Sequence, residues 1–224
     1  MCGRFTLYAD PDFLLDYYEV ENREEVEIYA RYNIAPSQQV LTMVQGKTGL
    51  RAGYMKWGLV PRWAQEESIG NKMINARSET IQEKVSFRPL VKKRHCIIVA
   101  NGFYEWKTGP DKIKQPYYIK LKSNEPMAFA GLWERWQNKD HEIISCTLLT
   151  TEANSLMRPI HERMPVILPK MKIEQWLKVK EQVESLFSPY PKDEMEAYPV
   201  STIVNTPQND HEICIQSINE NNVY

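Results

Sequence analysis

The sequence predicts an α+β fold: a single domain over residues 1–224, with a curved, barrel-like, mainly antiparallel sheet and peripheral helices. Three observations predict it. Seven runs rich in β-branched and aromatic residues read as strands, and short turns such as "KTGPDKIK" and "SNEP" join neighbouring runs, which favours antiparallel pairing. Only three stretches carry helical signals, and they do not alternate regularly with the strands. The 224 residues are 42% hydrophobic and 25% charged, the profile of one ordinary globular domain able to bury its own core.

In chain order, Asp10-Pro11 ahead of "DFLLDYYEV" reads as a capped helix with proline at its first position and an apolar stripe at Phe13, Leu14, Tyr17 and Tyr18. Strands follow in "QVLTMV" and "GYMKWGLV". Asn75 and Arg77 in "INARSET" read as a polar turn, with Ser78 capping a second helix, "ETIQEKV". The candidates "HCIIVANGFYEWK", "PYYIKLK", "MAFAGLWERW", "EIISCTLLT" and "MPVIL" complete the strands. The third helix, "KIEQWLKVKEQVESLF", places Ile173, Trp176, Leu177, Val183 and Phe187 at roughly helical spacing. There is no internal repeat and no Gly/Ser linker.

Composition excludes several classes. A formal net charge of −1 gives no broad electrostatic footprint for nucleic acid, so any such site is a narrow one. The cysteines, Cys2, Cys96, Cys146 and Cys214, show no C-x-x-C spacing, which excludes a zinc knuckle or a thioredoxin-type pair; no metal or cofactor is expected. Cys96 and Cys146 lie in apolar runs and read as small buried hydrophobes. The chain reads as reduced and cytoplasmic, without a secretory leader, a lipidation signal or a membrane span.

The polar residues in apolar surroundings are the informative ones. Glu105 in "NGFYEW" is either functional or a strand-end carboxylate paired with an arginine. His161 in "RPIHERMPVIL" is either catalytic or a ring that satisfies backbone groups. Arg4, Arg77 and Arg163 read as surface cations when taken singly. Cys2 changes the weighing. Once Met1 is removed, residue 2 carries an α-amine and a thiol on adjacent carbons. With an aldehyde the amine forms an imine, and the thiol then closes a five-membered thiazolidine, an intramolecular step favoured by proximity.

The motifs "MCGRFT", "RYNIAPSQ", "WGLVPRWA", "INARSETI", "GFYEWK", "KQPYYIKL", "AGLWE", "TLLTTEAN" and "IHERMPVIL" occur in one order and together resemble the SOS response-associated peptidase (SRAP) family. The resemblance implies an α+β domain that binds single-stranded DNA and single/double-strand junctions. It implies that the protein traps abasic sites through the processed N-terminal Cys2, shielding the lesion during the DNA damage response. The family's catalytic asparagine, glutamate and histidine fall on Asn75, Glu105 and His161. Its phosphate-gripping arginines fall on Arg4, Arg77 and Arg163, with Thr150 and Pro36 lining the strand's path and Trp63 in the loop that wedges between bases. The family name implies a peptidase activity, including loss of the chain's own Met1. In a bacterial host the protein would be nucleoid-associated, with no protein partner required.

Two other readings make different demands. A thiol peptidase using Cys2 as nucleophile and His161 as base cleaves unrelated peptides. A non-catalytic single-strand binding module holds intact and abasic strands equally and forms no adduct.

Overall fold

The computed structural model describes residues 2–139, 141–178 and 183–218. Its elements are β1 (Phe5–Leu7), α1 (Pro11–Tyr17), β2 (Arg31–Ile34), β3 (Gln39–Gln45), β4 (Leu50–Trp57), β5 (Asn75–Arg77), β6 (His95–Ala100), β7 (Gly102–Thr108), β8 (Lys114–Leu121), β9 (Met127–Gln137), β10 (Glu142–Glu152), β11 (Arg163–Pro165), β12 (Ile167–Leu168), α2 (Lys170–Lys178) and β13 (Met195–Pro199), with several short 3₁₀ turns between them.

Five strands close on themselves in the ring β10-β4-β3-β6-β9, because β9 pairs with β10 as well as with β6. All contacts in the ring are antiparallel except β4 with β10. A second sheet, β13-β8-β7-β1-β2, lies against the barrel. The expected α+β architecture with a barrel-like, mainly antiparallel sheet is therefore present. Closure leaves those five strands without a free edge.

The second sheet has two covered faces. Phe5 and Phe103 point into the main core, where Phe5 meets Trp57 at 5.0 Å and Phe129 edge-on at 6.0 Å. Alternation then sends Tyr104 and Tyr118 to the opposite face, where Val200, Val204 and Cys214 from the C-terminal segment cover them. Asn33 and Asp210 fasten that segment. Asn33 Nδ2 donates to the carbonyls of Val204, Thr206 and Asn209, and Asp210 accepts from the backbone N–H of Tyr32 and Asn33.

Several expectations are corrected. "HCIIVANGFYEWK" is two strands in two sheets, split at Asn101, whose Oδ1 accepts from Tyr8 N and Ala9 N. Gly102 permits the split, since a Cβ there would lie 2.5 Å from the Tyr118 side chain. The "GYMKWGLV" strand stops at Trp57 because Gly58 turns with φ +127°. Asn75–Arg77 is a strand, β5, rather than a turn. "ETIQEKV" is not an α-helix: Ser78–Thr80 forms a 3₁₀ turn with no side-chain cap. Only Ile81 is buried there, while Val85 is 69% exposed, so the segment lacks the apolar stripe that stabilises a helix.

The first helix is capped as expected, with Asp10 Oδ1 accepting from Phe13 N at 2.9 Å. Its buried face is Leu14, Leu15 and Tyr18, and Phe13 lies outside it, 46% exposed. The third helix runs only to Lys178 before residues 179–182, which lie outside the described residues, and Val183–Leu186 is 3₁₀. Trp176 anchors it by donating to Cys96 O at 2.9 Å. Among the described residues no helix is long and apolar enough to cross a membrane.

Candidate active site

Strand β1 adds to the edge of β7, with Phe5 opposite Phe103 and Thr6 opposite Gly102. Tyr104 N donates to Arg4 O at 2.9 Å, which carries the pairing one step further and runs the start of the chain alongside Glu105. Strand β5 lies parallel to β10, with Asn75 opposite Leu148. From there Asn75 Nδ2 donates to the Cys2 carbonyl at 2.7 Å. Asn75 Oδ1 is buried and accepts no hydrogen bond among the described residues.

Cys2 is fully buried, and its thiol donates to Arg4 O at 3.8 Å. Burial, and secondarily the charge of Glu105, push the thiol well above its ordinary pKa, so it stays protonated near neutrality. Glu105 is almost fully buried, and burial raises its carboxyl. His161 Nδ1 accepts from Arg163 N at 2.9 Å. That bond places the proton of the neutral ring on Nε2. Glu105 and His161 line one cleft of about 470 Å³ together with Trp106, Lys114 and Asn205.

Cys2, Asn75, Glu105 and His161, singled out in the sequence on four separate segments, are therefore neighbours. The cations are not equivalent. Arg77 is exposed, and its guanidinium enters no hydrogen bond among the described residues. Arg4 is held by Asn33 Oδ1 at 2.7 Å and Val204 O at 2.8 Å, 5.9 Å from the centre of the Trp106 ring. Arg163 departs from the expectation of an open phosphate grip. It is 8% exposed, clamps Glu79 with two bonds of 2.7 and 2.9 Å, and donates to Thr150 O at 2.6 Å. Its two terminal nitrogens are taken by a carboxylate, which in turn is held below the usual carboxylate range by Arg163, while Nε is buried without a partner among the described residues.

Thr150 is also corrected: it is fully buried in β10, with its hydroxyl against Ala76 O and Arg163, and offers no surface to a strand. Pro36 begins a turn in which Ser37 takes φ +71°, and Ser37 Oγ contacts Asn71. Trp63 is 54% exposed and lines a separate depression with Ala64, Gln65, Ile69 and Lys72. Its loop is fastened on both sides, by Arg62 on the buried Glu134 and by Trp136 Nε1 donating to Ala64 O at 2.8 Å. Neither Pro36 nor Trp63 lines the Glu105 cleft.

Sequence reasoning passed over three lining residues. Trp106 stood next to Glu105 in "GFYEW" and could have been taken with it. Lys114 and Asn205 carry no local signal, since a lysine in a hairpin and an asparagine in a polar C-terminal stretch are unremarkable until the fold brings them together.

The model of the family described as SOS response associated peptidase (SRAP) matches residues 1–207. A Bacillus subtilis relative named abasic site processing protein YoqW is 47% identical over 224 residues, covering 97% of this chain and 100% of the relative. The Xenopus tropicalis relative named abasic site processing protein HMCES is 32% identical over 190 residues; the match takes in 73% of this chain and 56% of that longer protein. A crystal structure of a Bacteroides thetaiotaomicron protein superposes with a TM-score of 0.86 at 26% identity, covering 97% of this chain and 100% of that one. A family match across residues 1–207 and a relative of nearly equal length that keeps 47% of the residues lead to one conclusion: the chain belongs to the SOS response associated peptidase (SRAP) family.

Proposed function

We propose that this protein processes abasic sites in single-stranded DNA, crosslinking to the ring-opened sugar through Cys2 after loss of Met1. The observation that carries the reading is the convergence on residue 2: Asn75 holds its carbonyl, and the charge of the buried Glu105 reaches its thiol. The names of the relatives support the substrate.

The geometry supports the following chemistry. An abasic sugar in its open form presents an aldehyde and no base, so little unstacking is needed to expose it. The α-amine of Cys2 attacks the aldehyde carbon, and the carbonyl oxygen leaves as water. Glu105, with its raised pKa, gives the proton to that oxygen and takes one from the amine. The thiol sulfur then adds to the imine carbon, and its proton passes to the ring nitrogen. One aldehyde and one aminothiol become a thiazolidine and one water. Nε2–H of His161 donates to the sugar-ring oxygen during opening, and the same ring assists slow reversal. Arg77 grips backbone phosphate, and Trp63 wedges at junctions between single- and double-stranded DNA.

Removal of Met1 is part of the proposal, carried out by the protein itself with the same groups. A thiol peptidase acting on other proteins fits less well. Catalytic cysteines are activated by neighbouring positive charge, whereas burial and Glu105 push Cys2 in the opposite direction. The test is intact mass after incubating Met1-processed protein with an abasic single-stranded oligonucleotide. A heat-stable species at the summed mass less one water is expected. Its absence, or cleavage of unrelated peptides at comparable rate, overturns the reading.

A further inference from the structure

The proposed chemistry uses one wall of the cleft, Glu105 and His161. The other wall is Trp106, Lys114 and Asn205. Trp106 on β7 and Lys114 on β8 share a face of the sheet, because Trp106 pairs with Pro116 and Thr108 with Lys114. Asn205 comes from the C-terminal segment packed on that face and ends the 3₁₀ turn Thr202–Asn205. The β7–β8 hairpin and a C-terminal segment 99 residues beyond Trp106 thus build this wall.

Its chemistry is one-sided. Asn205 Oδ1 accepts the Trp106 indole N–H at 2.8 Å. That bond uses the carbonyl end of the amide and leaves its NH₂ as the group to be presented, with no acceptor for it among the described residues. The buried Asn33 fixes the segment on both sides of Asn205, through the carbonyls of Val204 and Thr206, each at 3.1 Å. Lys114 forms no ion pair among the described residues, although the acidic Asp111 stands close to it in the chain. A cation and an amide NH₂ donor therefore line the same cleft as Glu105 and His161.

We propose that Lys114 and Asn205 form a phosphate subsite that holds the phosphodiester beside the abasic sugar and so sets the sugar's aldehyde carbon against Glu105 and His161. The inference rests on the single-strand reading above. An ammonium supplies charge at this subsite, and a fixed amide donor supplies direction. The abasic nucleotide has no base to be gripped, so the flanking phosphates are the groups left for placing it.

The experiment measures binding of intact and abasic single-stranded oligonucleotides across a salt series, with adduct yield read separately. Lys114→Gln should lower the slope of log K against log salt by about 0.7, the loss of one single-strand phosphate contact. Lys47→Gln, at the β3–β4 hairpin outside the cleft, should leave the slope unchanged. Asn205→Ala should weaken binding by about tenfold. Asn205→Asp keeps an acceptor for Trp106 but replaces the NH₂ with an anion, so it should bind more weakly than Asn205→Ala. If Asn205 only braced Trp106, that order would reverse. An unchanged slope in Lys114→Gln, or the reversed order at Asn205, overturns the subsite. The two readings fail separately: wild-type protein that binds but forms no adduct sinks the crosslinking chemistry, while the salt slope on intact strand still reads the subsite.

Discussion

At the scale of single residues, the site is held together by groups whose environments push them away from their ordinary behaviour. Glu105 is the clearest. Its carboxyl is raised from the ordinary 4.5 by burial, so the folded protein retains a proton that the unfolded chain has lost. In that window the unfolded state binds fewer protons, so stability falls as pH rises through the folded pKa. Glu105→Gln cannot ionise. Its melting temperature relative to wild type should therefore be higher at pH 8 than at pH 4.5, by about 2–4 °C for each kcal/mol recovered. The same variant should form adduct roughly 10²–10⁴-fold more slowly with strand affinity little changed. An equal rate would return Glu105 to a packing role. A second residue-scale test separates the two nucleophiles of Cys2. Cys2→Ala with Met1 removed keeps the amine, so strand cleavage through the imine should persist while the heat-stable adduct disappears; a stable adduct from this variant rules out closure through sulfur. Cys2 was legible from its aminothiol chemistry, whereas Glu105 and His161 each kept a structural alternative when taken singly and were singled out by the ordered motifs of the family resemblance. Asn205 and Lys114 were not, because their meaning depends on partners 99 residues away in one case and on a shared cleft in both.

At the scale of elements, strands were readable where alternation or apolar runs exceeded about five residues, as in β3, β9 and β10. The three-residue strands β1 and β5 were not, since so short a segment has no period, and pairing with β7 and β10 decides their state. Those two short strands carry Cys2 and Asn75 into the site, so the poorly legible elements are the ones that position the chemistry. The 3₁₀ turn at Ser78–Thr80 has a similar role. It presents Glu79 to the buried Arg163, whose backbone N–H holds His161 Nδ1. Glu79→Ala would leave a mostly buried guanidinium without its carboxylate. The cost should be roughly 1–3 kcal/mol, reduced from that of a fully buried pair because the Glu79 side chain is 44% exposed. Calorimetry should show the lower melting temperature. Adduct formation should slow as His161 loses its support, while the salt slope of strand binding stays as in wild type. A changed slope with an unchanged rate would show Arg163 acting directly on phosphate.

At the scale of the whole molecule, a chain of net charge −1 offers no general attraction for DNA, and its barrel and second sheet serve to bring the β7–β8 hairpin, the His161 segment and the C-terminal Asn205 to one cleft. The barrel was legible as a class from strand number and turn length. Its closure was not, because that depends on β9 pairing on both sides. In the proposed chemistry, what the assembled molecule must deliver to the aldehyde is an α-amine on residue 2 rather than a thiol near it. Placing a residue or tag ahead of Cys2 converts that amine to an amide, which is neither basic nor nucleophilic and forms no imine. The thiol alone adds to an aldehyde only as a reversible hemithioacetal. The extended protein should fold with the wild-type melting curve and bind abasic single strands through Arg77 with an undiminished salt slope, since neither property uses the amine. It should give no denaturation-resistant adduct. Cutting the extension with a protease that leaves Cys2 first should restore trapping in full, measured by denaturing gel and by intact mass. If the blocked protein crosslinks as fast as the processed one, the amine is not the nucleophile and thiazolidine formation at Cys2 is wrong.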